Sequence, residues 1–251
     1  MLFIIGTGLN NARDLSLNGL DRLKKCDKIY LECYTCIQRS GSDELEKLIG
    51  KEVIRANRRM VEETSEIVDE AKSKSVAFLV AGSPLFATTH GDILVRAKEA
   101  GVETRILHNV SILSVVGCYG LCSYNFGRTV SVCYFTETWK PTSFYDRILM
   151  NQKSGLHTLC LLDIKTDENR FMTANEALEQ MVYAESQLKY GILGEETRLF
   201  VVCRFATDSE SVYYDTLSNL IGRDFGEPLH SIIFPGELSV VEQEFVGKLN
   251  K

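Results

Sequence analysis

The sequence predicts an α/β protein with a mostly parallel sheet in its N-terminal half and a mixed sheet in its C-terminal half. In the first half, short apolar runs alternate with amphipathic stretches, which is typical of parallel strands joined by helical crossovers. In the second half, the apolar runs 129–135, 156–164 and 199–205 have lengths that suit hairpin-connected strands better than crossovers. We therefore predict an N-terminal α/β domain at 1–113 and a C-terminal α/β domain at 114–251.

Each element is predicted from its apolar spacing and its local turn signals. In the first half, strands are predicted at 2–5, 28–31, 52–55, 75–80 and 103–107. Helices are predicted at 43–49, 61–72, 90–100, 111–121, 143–150 and 174–188. The leucines from Leu15 to Leu23 predict one further helix, for which Asp14 is the expected N-cap.

Composition and charge exclude several classes of protein. The chain has 251 residues and a net charge of −6, so it has no bulk attraction for nucleic acid. An apolar share of 45% with 25% charged residues is average for a globular chain and excludes disorder. No apolar run reaches the ~18 residues that a membrane-spanning helix needs, and the first residues lack the basic region of a signal peptide.

The cysteines and histidines predict a metal-free protein in a reducing compartment, the cytoplasm. Eight cysteines in a chain of this length are too few for a disulfide scaffold. Cys33 and Cys36 form a single pair without a second pair or a nearby histidine, so we expect two ordinary reduced thiols rather than a zinc or redox site. The four histidines also lack metal-ligand spacing.

Three segments rich in glycine and hydroxyl residues follow predicted strands. They are 6–10, 82–89 and 108–111. Because the carboxyl ends of parallel strands meet at one edge of a sheet, these segments are expected to line one ligand site. Gly6-Thr7-Gly8 lacks the third glycine of a dinucleotide fingerprint, so a plain turn remains an alternative, as helix capping does for the other two segments. No catalytic cluster stands out, and the catalytic residue is unknown.

Motifs along nearly the whole chain resemble those of the diphthine synthases, a family within the tetrapyrrole-methylase superfamily. The residues that carry this resemblance are 1–9, LECYT (31–35), GSP (82–84), ATTH (87–90), HNVSI (108–112), YNFG (124–127), FT (135–136), WKP (139–141), YD (145–146), GLHT (155–158), LLDIK (161–165) and GEPLHS (226–231). Their common order makes the resemblance more specific than any single motif.

The resemblance implies a two-domain tetrapyrrole-methylase-like fold with a cofactor cleft between the domains, and a homodimer. It also implies an S-adenosylmethionine-dependent methyltransferase of diphthamide biosynthesis, which releases S-adenosylhomocysteine. Its substrate is the 3-amino-3-carboxypropyl-histidine of translation elongation factor 2, converted to diphthine or its methyl ester. The implied cofactor-binding residues are Leu9, Ser83, Phe86, Ser111, Ile112, Leu162, Phe205 and His230.

The chain departs from the family pattern at two of these positions. Ser83 stands where the family usually has aspartate, and Phe86 where it has glycine. The segment after Lys165 is also shorter than in relatives. Two other functions stay open at this point: methylation of a tetrapyrrole, and a catalytically inactive relative that acts as a binding protein. The motifs of the second half favour the diphthine synthase interpretation over the tetrapyrrole one.

Overall fold

The computed structural model describes residues 1–35, 37 and 41–249, which form two compact units. The first unit comprises Met1–Leu113, Lys165–Glu168 and Ala206–Asp208, and the second comprises Ser114–Ile164, Asn169–Phe205 and Ser209–Lys251. Two short segments thus return to the first unit, and the simpler division into domains 1–113 and 114–251 stays a prediction. Among the described residues, no helix has both the length and the apolar character needed to cross a bilayer.

The first unit contains a five-stranded parallel sheet, as predicted. Its elements are β1 (Leu2–Gly6), α1 (Leu17–Leu23), β2 (Lys28–Glu32), α2 (Gly41–Ile49), β3 (Ile54–Ala56), α3 (Arg58–Glu62), α4 (Glu66–Ala71), β4 (Val76–Val80), α5 (Gly91–Glu99) and β5 (Thr104–Leu107). The strand order is β3-β2-β4-β1-β5, and every pair is parallel. All residues of β1 and β4 are buried, which explains why these strands are continuous apolar runs in the sequence.

The second unit contains a mixed sheet, as predicted, and this sheet has five strands where the sequence predicted three. Its elements are β6 (Val130–Val132), α6 (Ser143–Lys153), β7 (Thr158–Leu162), β8 (Ile164–Lys165), β9 (Arg170–Phe171), α7 (Ala174–Leu188), β10 (Arg198–Cys203), β11 (Ser211–Thr216), α8 (Leu217–Leu220), β12 (His230–Phe234) and α9 (Val240–Leu249), where β8 and β9 form a separate two-stranded sheet. The order in the large sheet is β11-β10-β12-β7-β6.

The connections in this second sheet are of two kinds. β10, which the sequence predicted as a strand, is joined by a hairpin to β11, an antiparallel neighbour that the sequence did not predict. The prediction of hairpins is wrong for β6 and β7, which pair in parallel and are joined through α6. A parallel pair needs a crossover, and the helix supplies it.

Two predicted helices differ from the structure. The helix expected at 61–72 is two helices, α3 and α4, and Thr64 lies in the break with its hydroxyl donating to the carbonyl of Met60 over 2.7 Å. The helix expected at 111–121 is reduced to the single 3-10 turn Ile112–Val115. Gly117, Tyr119 and Gly120 have φ values of 94°, 55° and 83°, and a right-handed helix cannot continue through left-handed backbone.

The predicted cap of α1 is also wrong. Ser16, not Asp14, is the N-cap, since its hydroxyl accepts a hydrogen bond from the Gly19 amide over 3.0 Å. The Asp14 carboxylate instead accepts from the backbone amides of Leu9 and Asn10 over 3.0 and 2.8 Å. Asp14 therefore shapes the loop after β1 rather than the start of the helix.

Helix α7 begins with a complete capping box, which leads to a stability prediction. The Thr173 hydroxyl accepts from the Glu176 amide, and the Glu176 carboxylate accepts from the Thr173 amide. Thr173→Ala is expected to destabilise the protein by about 1 kcal/mol, because one helix amide loses its partner. Urea unfolding followed by the fluorescence of Trp139, the only tryptophan, measures this in the second unit. Thr142→Ala is the matched control, because Thr142 is the N-cap of α6 but its side chain makes no capping bond.

Candidate active site

Hydrogen bonds join the loops that follow β1, β4 and β5 in the first unit. Gly8 and Gly82 pair through both backbone amides, at 3.2 and 2.8 Å. The side-chain amide of Asn109 donates to the carbonyls of Gly6 and Asp14 over 3.1 and 2.9 Å. The carboxyl ends of these three neighbouring strands therefore form one connected edge, as the sequence predicted for their small-residue segments.

Gly82 leaves the backbone at this edge without a side chain. Gly82 has φ +71°, and a Cβ placed on it would lie 3.5 Å from Leu9 Cδ2 and 3.5 Å from Ser111 Cβ. Leu9 is half-buried and Ser111 and Gly82 are buried, so two predicted cofactor residues flank a stretch of buried peptide that carries no side chain. Ile112 is next in the chain and is half-buried. Such glycine backbone allows a ligand to approach closely.

Ser83 links two of the loops through its hydroxyl. The residue is 2% exposed, and its Oγ accepts a hydrogen bond from the Asn109 amide over 3.2 Å. The same Oγ lies 3.2 Å from Nδ1 of His108. The Ser83 side chain therefore points into the loop after β5, and it would act on a ligand through its neighbours.

Phe86 presents its ring to solvent from a strained loop. It is 47% exposed, and the residues on either side, Leu85 and Ala87, have φ values of 70° and 52°. Non-glycine residues rarely adopt such values, and backbone strain of this kind concentrates at ligand-binding sites. The ring centroid lies 6.3 Å from that of His108, at an interplanar angle of 43°. Phe86 and His108 thus form one exposed face beside Gly82.

The three predicted residues of the second unit lie together at one edge of its sheet. Cys203, the last residue of β10, pairs with His230, the first residue of β12. Ser231 pairs with Leu161, so the adjacent Leu162 ends β7 at the same level as His230. Phe205 follows β10 by two residues and is half-buried. The register of the strands thereby brings these three residues to the same end of the sheet.

The His230 imidazole is held by two backbone groups. Nδ1 accepts from the Ala174 amide over 3.2 Å, and Nε2 then donates to the carbonyl of Glu227 over 3.0 Å. Burial lowers the pKa of His230, so the ring is neutral at physiological pH. With both nitrogens engaged, this side chain orients the start of α7 and the loop before β12 and is not placed to act as a base.

Two motifs of the resemblance, LECYT and ATTH, meet in a buried polar cluster of the first unit. The Glu32 carboxylate accepts from the backbone amides of Tyr34 and Thr35, each over 2.6 Å, and burial raises its pKa. The Tyr34 hydroxyl lies 3.3 Å from Nε2 of His90. Burial lowers the pKa of His90 to about 4, so its ring is neutral. The cluster shapes the carboxyl end of β2.

The described residues bear on two predictions: that the cysteines are free thiols and that the protein has no metal site. The seven cysteines in this part of the chain are free thiols, while Cys36 lies outside it. Across residues 1–35, 37 and 41–249, no three histidine, cysteine or acidic side chains are grouped to hold a metal ion.

Sequence reasoning marked His108 and Asn109 within a candidate segment but could not separate a ligand role from helix capping, and it missed the loop role of Asp14. Each lies in or beside a segment that the sequence marked as a candidate, yet its hydrogen-bond partners are distant in the chain. An amide directly after a buried strand was the available signal for Asn109, since an Asn side chain can donate to two carbonyls at once.

Comparison with known proteins defines the class of this fold and site. Residues 1–221 match the family model of the tetrapyrrole (corrin/porphyrin) methylases, and the chain belongs to this family. Within the family the resemblance to diphthine synthases is confirmed. The chain is 42% identical to the diphthine synthase of Methanococcus maripaludis, a match that covers 97% of this chain and 96% of the relative. It is 39% identical to the diphthine methyl ester synthase of Dictyostelium discoideum, over 98% and 96% of the two chains.

The solved structures include a chain with the same fold. A provisionally assigned diphthine synthase from Entamoeba histolytica has a TM-score of 0.93 and 38% sequence identity, and the match covers 99% of this chain and 98% of that one.

Proposed function

We propose that this protein is an S-adenosylmethionine-dependent methyltransferase of diphthamide biosynthesis. Its substrate is the 3-amino-3-carboxypropyl-histidine of translation elongation factor 2, which it methylates to diphthine methyl ester. The observation that supports this function is that relatives named diphthine synthase or diphthine methyl ester synthase match both halves of the chain, over 97% and 98% of its length. A match to the family model alone would support methyltransferase activity but would not indicate this substrate.

The residues of the first unit fit a nucleoside cofactor. Gly82 leaves the buried backbone between Leu9 and Ser111 without a side chain, and the exposed ring of Phe86 offers an apolar face of about the size of a purine. S-adenosylmethionine, when bound, supplies a methyl group on a positively charged sulfonium. The protein's own contribution is therefore mainly positioning, which alone can supply ~7–11 kcal/mol of a reaction barrier.

We include Leu162, Phe205 and His230 of the second unit among the proposed cofactor-binding residues. Their common edge in the second sheet supports this, because a single ligand could contact all three. His230 would contribute its ring face or backbone, since Glu227 and Ala174 occupy its nitrogens. We assign no general base. A site poor in water favours the neutral amine over the ammonium form, which makes the acceptor nitrogen nucleophilic.

We also propose that the protein acts in the cytoplasm as a homodimer, with elongation factor 2 as its protein partner. The substrate's location in the translation machinery supports the compartment.

Mass spectrometry of elongation factor 2 tests the proposed function. Factor that carries the aminocarboxypropyl-histidine is expected to gain mass in methyl increments after incubation with the protein and S-adenosylmethionine. Unmodified factor is the matched control and should not change, because its imidazole lacks both the amine and the carboxylate acceptors. Methylation of a tetrapyrrole without any change in the factor would contradict the proposal. Binding of the cofactor with no methylation of either substrate would favour the inactive-relative interpretation.

A further inference from the structure

The imidazole of His108 has one engaged and one open nitrogen. Nδ1 lies 3.2 Å from the Oγ of Ser83, whereas Nε2 has no hydrogen-bond partner among residues 1–35, 37 and 41–249. The residue is exposed and its ring lies beside that of Phe86. An exposed ring held at one nitrogen by a buried side chain has a defined orientation toward any ligand on this face.

The hydrogen bonds of Ser83 assign the proton on His108. A serine hydroxyl has one hydrogen and two lone pairs, and one lone pair already accepts from the Asn109 amide. If Nδ1–H of His108 donated to the second lone pair, the hydrogen of this buried hydroxyl would lack an acceptor, which folded proteins rarely tolerate. The hydroxyl therefore donates to Nδ1. The ring is then neutral with its proton on Nε2, which faces away from Ser83 as a hydrogen-bond donor.

We propose that His108 is a cofactor-binding residue that donates a hydrogen bond from Nε2 to an acceptor oxygen of the bound cofactor, and that Ser83 is the positioning residue that keeps this proton on Nε2. The proposal rests on the proposed function for the nature of the ligand. The location of His108 supports the proposal, because its ring contacts Ser83 and Phe86, which both lie in the loop after Gly82. Two kinds of oxygen on the cofactor accept such a bond: those of the amino-acid carboxylate and those of the ribose.

The tautomer can be measured without any ligand. Nitrogen-resolved NMR of ¹⁵N-histidine-labelled protein should show His108 protonated at Nε2 and bare at Nδ1. In Ser83→Asp, the carboxylate can only accept, so Nδ1 should become protonated. His230 is an internal control whose proton should stay on Nε2 in both proteins. Wild-type protein with the His108 proton on Nδ1 would overturn the role given to Ser83.

The donor role is tested by calorimetric affinity for S-adenosylhomocysteine. His108→Phe keeps a ring of similar shape but removes both nitrogens, and it should bind about tenfold more weakly or worse. His108→Gln retains a side-chain N–H and should recover most of that loss. Arg105→Gln, an exposed substitution on the preceding strand, should bind as the wild type does. Circular dichroism and thermal unfolding establish that each variant is folded.

A second ligand distinguishes the two kinds of acceptor oxygen. 5′-Methylthioadenosine retains the ribose but lacks the amino-acid carboxylate. If His108→Phe weakens binding of S-adenosylhomocysteine alone, the acceptor is the carboxylate; if it weakens both ligands equally, the acceptor is a ribose oxygen. Unchanged affinity of His108→Phe for both ligands would overturn the inference while leaving the proposed function intact. Wild-type protein that binds neither ligand would instead overturn the proposed function and the binding role of His108 together. The NMR experiment would still show whether Ser83 keeps the His108 proton on Nε2.

Discussion

Glu242→Gln is expected to destabilise the second unit by about 3 kcal/mol at neutral pH, the largest effect that we predict on stability. Glu242 is only 1% exposed. One of its oxygens accepts from the Cys122 amide over 2.7 Å and from Nε2 of His157 over 3.0 Å, and the other accepts from the Ser239 amide over 2.7 Å. Both oxygens face donors, so a glutamine in either orientation must place its own N–H₂ against an N–H group.

The histidine in this network cannot adapt to the change. Nδ1 of His157 accepts from the Gly236 amide over 2.8 Å, so the ring proton must be on Nε2, toward Glu242. His157 is fully buried, and a turned ring would leave two buried groups unpaired. The carboxylate is therefore the only acceptor that satisfies the donors on both sides.

The stabilisation by Glu242 should depend on pH. Burial alone would raise its pKa, but the hydrogen bonds from the Cys122 amide, His157 and Ser239 outweigh burial and lower the pKa to about 2. A carboxyl whose folded pKa is depressed stabilises the protein above its unfolded pKa, about 4.5, and loses that contribution as the pH falls toward 2. The difference of about 2.5 pKa units corresponds to about 3 kcal/mol.

Urea unfolding followed by Trp139 fluorescence tests both parts, because this tryptophan lies in the second unit. The stabilities of wild type and Glu242→Gln should differ by several kcal/mol at pH 7 and converge as the pH falls from 4.5 to 2. Glu244→Gln, on the exposed side of the same helix, is the matched control and should follow the wild type. A constant difference between wild type and Glu242→Gln across this pH range would contradict the assignment.

Gly6→Ala is expected to have the largest effect on the candidate site. A Cβ at Gly6 would lie 2.4 Å from the carbonyl oxygen of Gly82 and 2.9 Å from Asn109 Cβ, so the backbone of the loops after β4 and β5 must move. Such overpacking typically costs about 1–3 kcal/mol of stability. Because Gly82 also flanks Leu9 and Ser111, we expect at least a tenfold loss of affinity for S-adenosylhomocysteine, since small displacements of positioning groups have large effects.

Calorimetric titration and thermal unfolding by circular dichroism measure the two effects of Gly6→Ala. Gly91→Ala is the control, because a Cβ there meets no atom within 4 Å and the residue is the first of α5. It should retain both stability and affinity. If Gly6→Ala binds as tightly as Gly91→Ala, the close approach of the three loops is not needed for the ligand.

Burial left a signal in the chain that made several elements predictable, although β12 is buried along its whole length and was not predicted. β4 is buried along its whole length, and it was predicted from its apolar residues to within one position. α7 was predicted with its correct bounds, because its apolar spacing and N-cap agree. By contrast, β11 was not predicted, since it is an edge strand whose residues are mostly half-buried and do not alternate. α9 was also missed, and Val240 and Val241 on it are apolar yet exposed.

From the sequence alone, the alternation of strands and helices placed the small-residue segments at one sheet edge, and the order of motifs indicated the family. Only the tertiary structure decided that β6 and β7 run parallel and that Ser83 contacts His108 and Asn109. The physical reason is that apolar periodicity reports whether a residue is buried but not which residue it meets. Partners 25 or more positions apart in the chain are set by strand order and register, which depend on the packing of all strands together.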